Sequence, residues 1–503
     1  MPRADPILTA AQMRAAEARA APDAESLDAL RERAGAGVAD VVWRLSAGAE
    51  ILIVCGPGNN GGDGYVAARL LRERGASVHI WAPYPPATEL AVRAAAGWFG
   101  HEAENDASQS RNAPEDCNND ADLNCNDGCT DEKGYWGFAP IVVDAMFGTG
   151  ALRPLDPGTM LHFRDLAEHA RRVIAIDLPS GLDADHGFFH VDPMVEPVRP
   201  DLTLALGALK AAHIMANAVV NCGDVRLIDL GLDLGQCPTR TIARPVPPAL
   251  KSDSHKYSRG MVGVISGEMP GAALLAATAA AYAGAGYVAL YGGNEGGPAC
   301  LVHRLLSEDS LRDERLGAVV IGPGLGRGSD ARRWVEFLVN ETRHDLVIDA
   351  DALHLVDFSA LPIRMGATIL TPHAGELHAM RKRAGISFRE DLTVVEQAIA
   401  DLEDLGLGGN TVLVCKGATT YLSQREQVCV APRGSAWLST AGTGDVLAGA
   451  IATMLALYGG NGRSWLDAAA AGVWLHSDAA RRLGQSFIAD DLARELQKAR
   501  ASL

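Results

Sequence analysis

Residues 51–64 read ILIVCGPGNNGGDG. The five apolar residues that open the stretch are too few for a helix. They suit a strand buried on both faces. Glycines then make a tight turn, and residues 65–74 continue with helical spacing, so the stretch is a strand–turn–helix unit. The same punctuation recurs on either side. Residues 7–48 read as two Ala-rich amphipathic helices. SVHIWAP, IVVDAMFGTG (141–150), VIAIDLPSG (173–181), LTLALGALK (202–210) and VRLIDLGL (225–232) read as further strands. Short apolar strands alternating with helices imply a parallel sheet covered on both faces. The segment QCPTRTIARPVPPAL (236–250) is Pro-rich and aperiodic and reads as a linker. Beyond it a second series begins: MVGVISG, YVALYGG, AVVIGPGLG, DLVIDADAL, ATILTPHAGE, TVLVCKGATT and AGTGDVLAGAIATMLA. The expectation is α/β, two three-layer α/β/α domains over residues 1–240 and 241–503, with ligands at the C-terminal ends of the strands.

Composition narrows the function. The chain has 503 residues, 48% of them hydrophobic, enough for two cores. Lys plus Arg is 45 against 62 for Asp plus Glu, a net charge of −17, which argues against a nucleic-acid surface. A small anion is still admissible, because free backbone amides bind one without basic side chains. The apolar stretches 271–293 and 446–460 are broken by glycine or too short for a bilayer of about 30 Å, and read as buried helices. The N-terminus lacks the apolar core of a secretory signal. The nine cysteines (Cys55, Cys117, Cys125, Cys129, Cys222, Cys237, Cys300, Cys415 and Cys429) are scattered as in a reduced, cytoplasmic protein. Residues 104–133 form an Asn/Asp-rich insertion. Asp116, Asn118, Asp120 and Asp122 have the spacing of a Ca²⁺ loop, but Ala121 stands where such a loop needs Gly and Asp127 where it needs Glu. A solvated insertion is the expectation.

Chemistry gathers at the strand ends. Gly56, Gly58 and Gly61 match G-x-G-x-x-G, the turn that brings backbone to a dinucleotide. A redox dinucleotide site also needs an acidic residue near the end of the next strand, and residues 75–88 contain no Asp, Glu, Lys or Arg. Asp144, Asp177 and Ser180 end two other strands, and in a parallel sheet they can converge with Asn60. Hard oxygen ligands of this kind suit a cation such as K⁺. The alternative is that Asp144 and Asp177 only cap helices or bond turns. In the second series, Gly442-Thr443-Gly444-Asp445 puts bare amides and a carboxylate at a helix start. That suits a phosphoryl group and a base, or else an ordinary cap. Lys416-Gly417-Ala418-Thr419-Thr420 offers a cation and two hydroxyls. His373 in TPHAGE is either a site residue or a buried, satisfied histidine.

Taken together, GPGNNGGDG, DAMFGTG and AIDLPSGLDAD, with LTAAQMRAAEARA and ERAGAGVA before them, resemble the N-terminal domain of NAD(P)H-hydrate epimerases over residues 7–235 outside the insertion. The resemblance implies that Asn59, Asn60, Gly61, Gly62 and Asp63 line the hydrated nicotinamide nucleotide. So do Gly148, Thr149, Gly150, Ala151, Leu152, Arg153 and Pro154. It implies that Asp177 contacts that ligand and that Asn60, Asp144 and Ser180 hold K⁺. Asp177 is then the candidate acid/base, because epimerisation moves a proton. GPGLG, DADAL, TPHAGE, KGATT and AGTGD, in that order, resemble the ribokinase-like ADP-dependent NAD(P)H-hydrate dehydratases over residues 250–498. That resemblance implies that Lys416, Gly417, Ala418, Thr419, Thr420 and Gly444 bind ADP. Ala272, Gly324, His373 and Asp445 would contact the hydrate, with Asp445 as base and Mg²⁺ on the phosphates. SGEMPGA, which carries Ala272, departs from the family's small-residue turn. The expected function is repair of hydrated NAD(P)H, with ADP as co-substrate and no nucleic-acid or membrane partner. A homo-oligomer is expected on the resemblance alone. The rival is a ribokinase-type small-molecule kinase carrying an N-terminal nucleotide-binding module.

Overall fold

The computed structural model describes residues 4–106, 139–150, 155–190, 196–215, 218–235, 237–249, 252–293, 296–389, 391–459 and 464–503. Ala151, Leu152, Arg153, Pro154 and the Ca²⁺-like spacing at 116–127 lie outside the described residues. The chain forms two compact units, Pro6–Cys237 and Met1–Asp5 with Pro238–Leu503.

The first unit opens with α1 (Ala10–Ala20) and α2 (Ala24–Ser46), started by Thr9 and Asp23, whose side chains accept the Gln12 and Ser26 amides. There follow β1 (Ile51–Cys55), α3 (Asn59–Glu73), β2 (Val78–Trp81), α4 (Glu89–Asp106), β3 (Ile141–Ala145), α5 (Pro157–His169), β4 (Arg172–Ile176), β5 (Leu202–Leu206) and β6 (Asp224–Ile228). The sheet order is β2-β1-β3-β4-β5-β6, and every pairing is parallel. Alternate residues of β1 serve different cores. Ile51, Ile53 and Cys55 pack with α2, α3 and α4, while Leu52 and Val54 pack with α5. This explains why the strand is apolar throughout. The order reverses between β1 and β3, which opens a crevice at their C-terminal ends.

The second unit contains β7 (Thr239–Thr241), β8 (Met261–Ile265), α6 (Pro270–Tyr282), β9 (Tyr287–Tyr291), β10 (Val302–Arg304), α7 (Glu308–Leu311), β11 (Leu316–Ile321), α8 (Ser329–Glu341), β12 (Asp345–Ile348), α9 (Asp351–Leu355) and β13 (Thr368–Leu370). It continues with α10 (Ala374–Ala384), α11 (Val394–Asp404), β14 (Thr411–Cys415), β15 (Thr420–Gln424), β16 (Gln427–Ala431), α12 (Thr443–Tyr458), α13 (Trp465–Leu483) and α14 (Ala489–Ala501). The order is β10-β9-β8-β11-β12-β13-β14-β15-β16-β7. One face packs against α6, α12, α13 and α14, the other chiefly against α8, α9 and α10, so this unit also has three layers. No helix among the described residues is long and apolar enough to cross a membrane.

Four readings are corrected. The helix after β1 begins at Asn59 rather than at residue 65, because the glycine-rich run is itself the first helical turn. Its glycines serve close approach rather than positive φ: a Cβ on Gly61 would lie 1.9 Å from the Gly56 carbonyl oxygen. The stretch 271–293 is one helix and one strand, α6 and β9, parted at Gly284 and Gly286. The linker is shorter than read, since Thr239–Thr241 adds an edge strand paired to β16. Finally, β15 and β16 form an antiparallel hairpin at the end of an otherwise parallel run, turned at Arg425, whose φ is 54°.

Candidate active sites

In the first unit the crevice is a cavity of about 390 Å³. Asn59, Asn60, Asp63, Gly148, Thr149, Gly150 and Asp177 line it, as their motifs anticipated, while Gly61 and Gly62 stand behind them in α3. Asp177 is its most constrained member. Its φ is 64°, a left-handed conformation that a non-glycine residue keeps only where its surroundings enforce it. The enforcing contacts are visible. Its N–H donates to the Leu204 carbonyl at 2.8 Å, and its own carbonyl accepts from His213 Nε2 at 2.6 Å. His213 Nδ1 accepts the Lys210 amide at 3.0 Å, which fixes the ring's tautomer. Burial, with the Lys210 charge beside it, pushes the imidazole down to about 4, so His213 is neutral. Lys210 is 1% exposed, and its ammonium donates to Asp177 Oδ1 at 2.5 Å and to the Leu206 carbonyl at 2.9 Å. With Oδ1 occupied, Oδ2 is turned toward Gly148, where a Cβ would lie 3.2 Å from it and 3.3 Å from Asn60 Oδ1.

Beside this pair, Ser180 Oγ donates to Asp144 Oδ1 at 2.5 Å, the Ser180 amide to Oδ2 at 2.8 Å, and the Phe147 amide to Ser180 Oγ at 3.0 Å. Asp144 therefore does bond turns, as the alternative reading held, and through Ser180 it reaches Phe147, which lines the cavity. Burial raises its carboxyl to about 6 against these hydrogen bonds. Asn60 Nδ2 is buried without a partner. A buried carboxyl held up by desolvation is what a cation beside it would relieve, whereas the unpartnered Asn60 Nδ2 calls for an acceptor oxygen. Sequence reasoning missed Lys210, His213, Glu17 and Arg31. In sequence Lys210 is only the last residue of the apolar run 202–210.

In the second unit the tips of β12, β13 and β14 converge. Lys416 Nζ donates to Asp349 Oδ1 at 2.6 Å and stands 3.8 Å from Glu376 Oε2. Thr371 Oγ1 donates to the same Asp349 oxygen at 2.7 Å. A Cβ on Gly444 would lie 3.5 Å from Lys416 Nζ, which puts the start of α12 against the lysine. Asp445 does not cap α12; the N-cap is Gly442, with φ of 89° and no side chain. Burial and then the Asp349 charge push the Asp445 carboxyl up to about 7, against Lys416. His476 Nε2 donates to the Thr443 carbonyl at 2.9 Å from α13, holding the turn. Gly417 and Ala418 are exposed, Thr419 is buried, and Thr420 opens β15.

The buried alternative for His373 is corrected: its side chain is 60% exposed and caps α10, with Nδ1 accepting the Gly375 amide at 3.0 Å. Gly324 is buried with φ of 60°, and its carbonyl accepts the Met269 amide at 2.9 Å. A Cβ there would sit 2.2 Å from the Met269 oxygen, so glycine is required. Ala272, half-buried in the first turn of α6, donates its amide to that same Met269 oxygen at 3.3 Å. Asp349 and Glu376 are the residues missed here, although both lie inside quoted motifs.

The family profile described as NAD(P)H-hydrate dehydratase matches residues 262–501, and the one described as YjeF-related protein N-terminus matches residues 27–212. The bifunctional NAD(P)H-hydrate repair enzyme of Coxiella burnetii is 32% identical over 462 residues, 87% of this chain and 86% of that protein. The one from Mycobacterium tuberculosis is 32% identical over 448 residues, 85% of this chain and 84% of that protein. The solved ADP/ATP-dependent NAD(P)H-hydrate dehydratase of Bacillus subtilis, co-crystallised with ATP and Mg²⁺, is 26% identical over 51% of this chain and 94% of that one, with a TM-score of 0.41. With both profiles matched and full-length relatives this close, the chain belongs to the family of bifunctional NAD(P)H-hydrate repair enzymes.

Proposed function

We propose that the Pro6–Cys237 unit epimerises the R and S forms of NAD(P)H hydrate, and that the C-terminal unit dehydrates the S form at the expense of ADP, giving AMP and phosphate. In the first unit Asn59, Asn60, Gly61, Gly62, Asp63 and the segment 148–154 cradle the nicotinamide nucleotide. Asp177 Oδ2 takes and returns the proton that moves during inversion, while Lys210 and His213 hold the aspartate in its strained pose. Asn60, Asp144 and Ser180 are the oxygen donors fitted to K⁺, whose charge would hold the cavity wall together when bound.

In the second unit Asp445 accepts the proton of the hydrate hydroxyl, whose oxygen attacks the terminal phosphorus of ADP. The bridging P–O bond breaks and AMP leaves. Phosphate is a better leaving group than hydroxide, and its departure, with a proton from the neighbouring carbon, restores the ring double bond. Lys416, Gly417, Ala418, Thr419, Thr420 and Gly444 bind the nucleotide, and Ala272, Gly324 and His373 bound the hydrate. The Asp349 charge raises the cost of ionising Asp445, so this face fits Mg²⁺ carried in on the phosphates, where it would neutralise charge on the transferring group. A homo-oligomer in the cytoplasm completes the proposal.

The observation that carries the reading is that motifs far apart in sequence meet as Asp177–Lys210 beside Asn60, and as Asp445 beside Lys416–Asp349. Mixed hydrate epimers supplied with ADP, Mg²⁺ and K⁺ should regain reduced-nicotinamide absorbance completely. A stable phosphorylated product without that recovery would favour a kinase.

A further inference from the structure

Arg31 is a buried cation that the proposed chemistry leaves unused. It stands on α2, is 8% exposed, and lies over the first turn of α3, where a Cβ on Gly62 would come within 2.8 Å of its Nη1. Its Nε is 3.5 Å from Asp63 Oδ1, too long for a good hydrogen bond. Nε and Nη1 are buried without any hydrogen-bond partner. A guanidinium in that state is destabilising unless something supplies acceptor oxygens. The residue lines the 390 Å³ cavity together with Asn59 and Asn60. These belong to the first turn of α3, whose N-cap, Gly58, gives no side-chain hydrogen bond. Free helix amides and an unsatisfied donor fork thus face one space. The other buried cation of the cavity, Lys210, is held by Asp177.

We propose that Arg31 is the anion-recognition residue of the epimerase cavity, its guanidinium fork receiving the phosphate borne by the ribose of the nicotinamide nucleotide. This rests on the reading that the cavity takes that nucleotide. The chemistry of the donor set selects the group: a planar guanidinium offers only donors, matched to a tetrahedral oxyanion in two-point contact. Asp63 is the group that yields. It faces Arg31 from α3, with Arg14 and Glu17 of α1, Asp177 and Lys210 bordering the same space. Burial, Asp177 and Glu17 hold its carboxyl up, to about 7, against the attraction of Arg31. A phosphate dianion arriving at Arg31 raises it further. Binding therefore takes up a proton, and affinity for the mononucleotide weakens as pH rises above 7, where its monoester phosphate is already dianionic.

The test uses a ligand pair that differs only in the phosphate. Reduced nicotinamide mononucleotide and reduced nicotinamide riboside are assayed as inhibitors of epimerisation by the full chain. Arg31→Met should weaken the mononucleotide tenfold or more and change the riboside less than twofold, with Arg31→Lys in between. Equal changes for both ligands, or none for either, overturn the proposal. If Arg31→Met does not melt cooperatively, the same comparison in Arg31→Lys decides, with a threefold selective loss expected. Between pH 7 and 9 the mononucleotide should weaken in the wild type and not in Asp63→Asn; a flat wild-type profile contradicts the part given to Asp63. If the wild type epimerises nothing, the reading of the cavity fails. Calorimetric titration of the two ligands, with ADP saturating the other site, then tests Arg31 separately.

Discussion

Lys210–Asp177 and Lys416–Asp349 are two lysine–aspartate pairs at strand ends, at 2.5 and 2.6 Å, one in each unit. They are built in opposite senses. In the first the lysine side chain is 1% exposed and the aspartate 11%; in the second the lysine is 18% exposed and the aspartate 2%. The more buried partner holds the other in place through its charge. In the first unit the more exposed member, lining the cavity, is a carboxylate, and in the second it is an ammonium next to the start of α12. Under the proposed function, the same kind of ion pair serves proton transfer in one sheet and phosphate binding in the other, depending on which member is buried.

The largest expected effects cross the two units. Asp177→Asn should lower epimerisation by about 10²–10⁴-fold, the scale of a lost acid/base, and leave dehydration of the S epimer unchanged; Asp445→Asn should do the reverse. Loss of both activities from either substitution would break the comparison. Next come the holders. Lys210→Met leaves a buried carboxylate unpaired and should cost about 3–5 kcal/mol of stability by denaturant titration. Asp349→Asn keeps an acceptor for Thr371 and frees a partly exposed lysine, so it should cost less, about 1–3 kcal/mol, while raising the KM for ADP. Equal losses would mean that the inversion of burial has no energetic meaning.

The pH dependence of dehydration comes third. The base must be ionised, and Asp445 is held up to about 7, so the rate should fall about tenfold per pH unit below 7 and level off above it. Asp349→Asn removes the like charge and should move the midpoint lower; an unmoved midpoint would take Asp349 out of the site's electrostatics. The smallest effect is expected at His373. It caps α10 from an exposed position, so His373→Ala should cost about 0.5–1 kcal/mol in stability, with a few-fold change in hydrate KM.

Much of the fold was legible because the first sheet is parallel throughout, the second is parallel up to its β15–β16 hairpin, and both are covered on both faces, which turns most strands into apolar runs closed by glycine. ILIVC, IVVDA and MVGVI carry that signal. Edges were harder. Thr239–Thr241 and Val302–Arg304 are three-residue strands with no apolar run, and a linker reading hid the first. In the sites, Asp177, Asp144, Asn60, Lys416 and Asp445 were legible because each stands close to glycine at a strand end or a helix start. Their holders were not. Lys210 ends an apolar stretch and His476 lies within a helix, and each finds its partner 33 residues away. Lys416 meets Asp349 across 67 residues. Such pairings depend on strand order, and no local pattern encodes them. Arg31 is subtler still: in sequence it is one more charge on an amphipathic helix, and only the close approach of Gly62 turns it inward.

The division of labour between the two sheets is open to one direct reading. The Asp177→Asn chain is given a mixture of R and S hydrates with ADP, Mg²⁺ and K⁺, and the return of reduced-nicotinamide absorbance is followed. The account predicts a fast phase with the amplitude of the S fraction alone, extended to the full amplitude when wild-type protein is added. Full recovery in a single fast phase by the variant would contradict it.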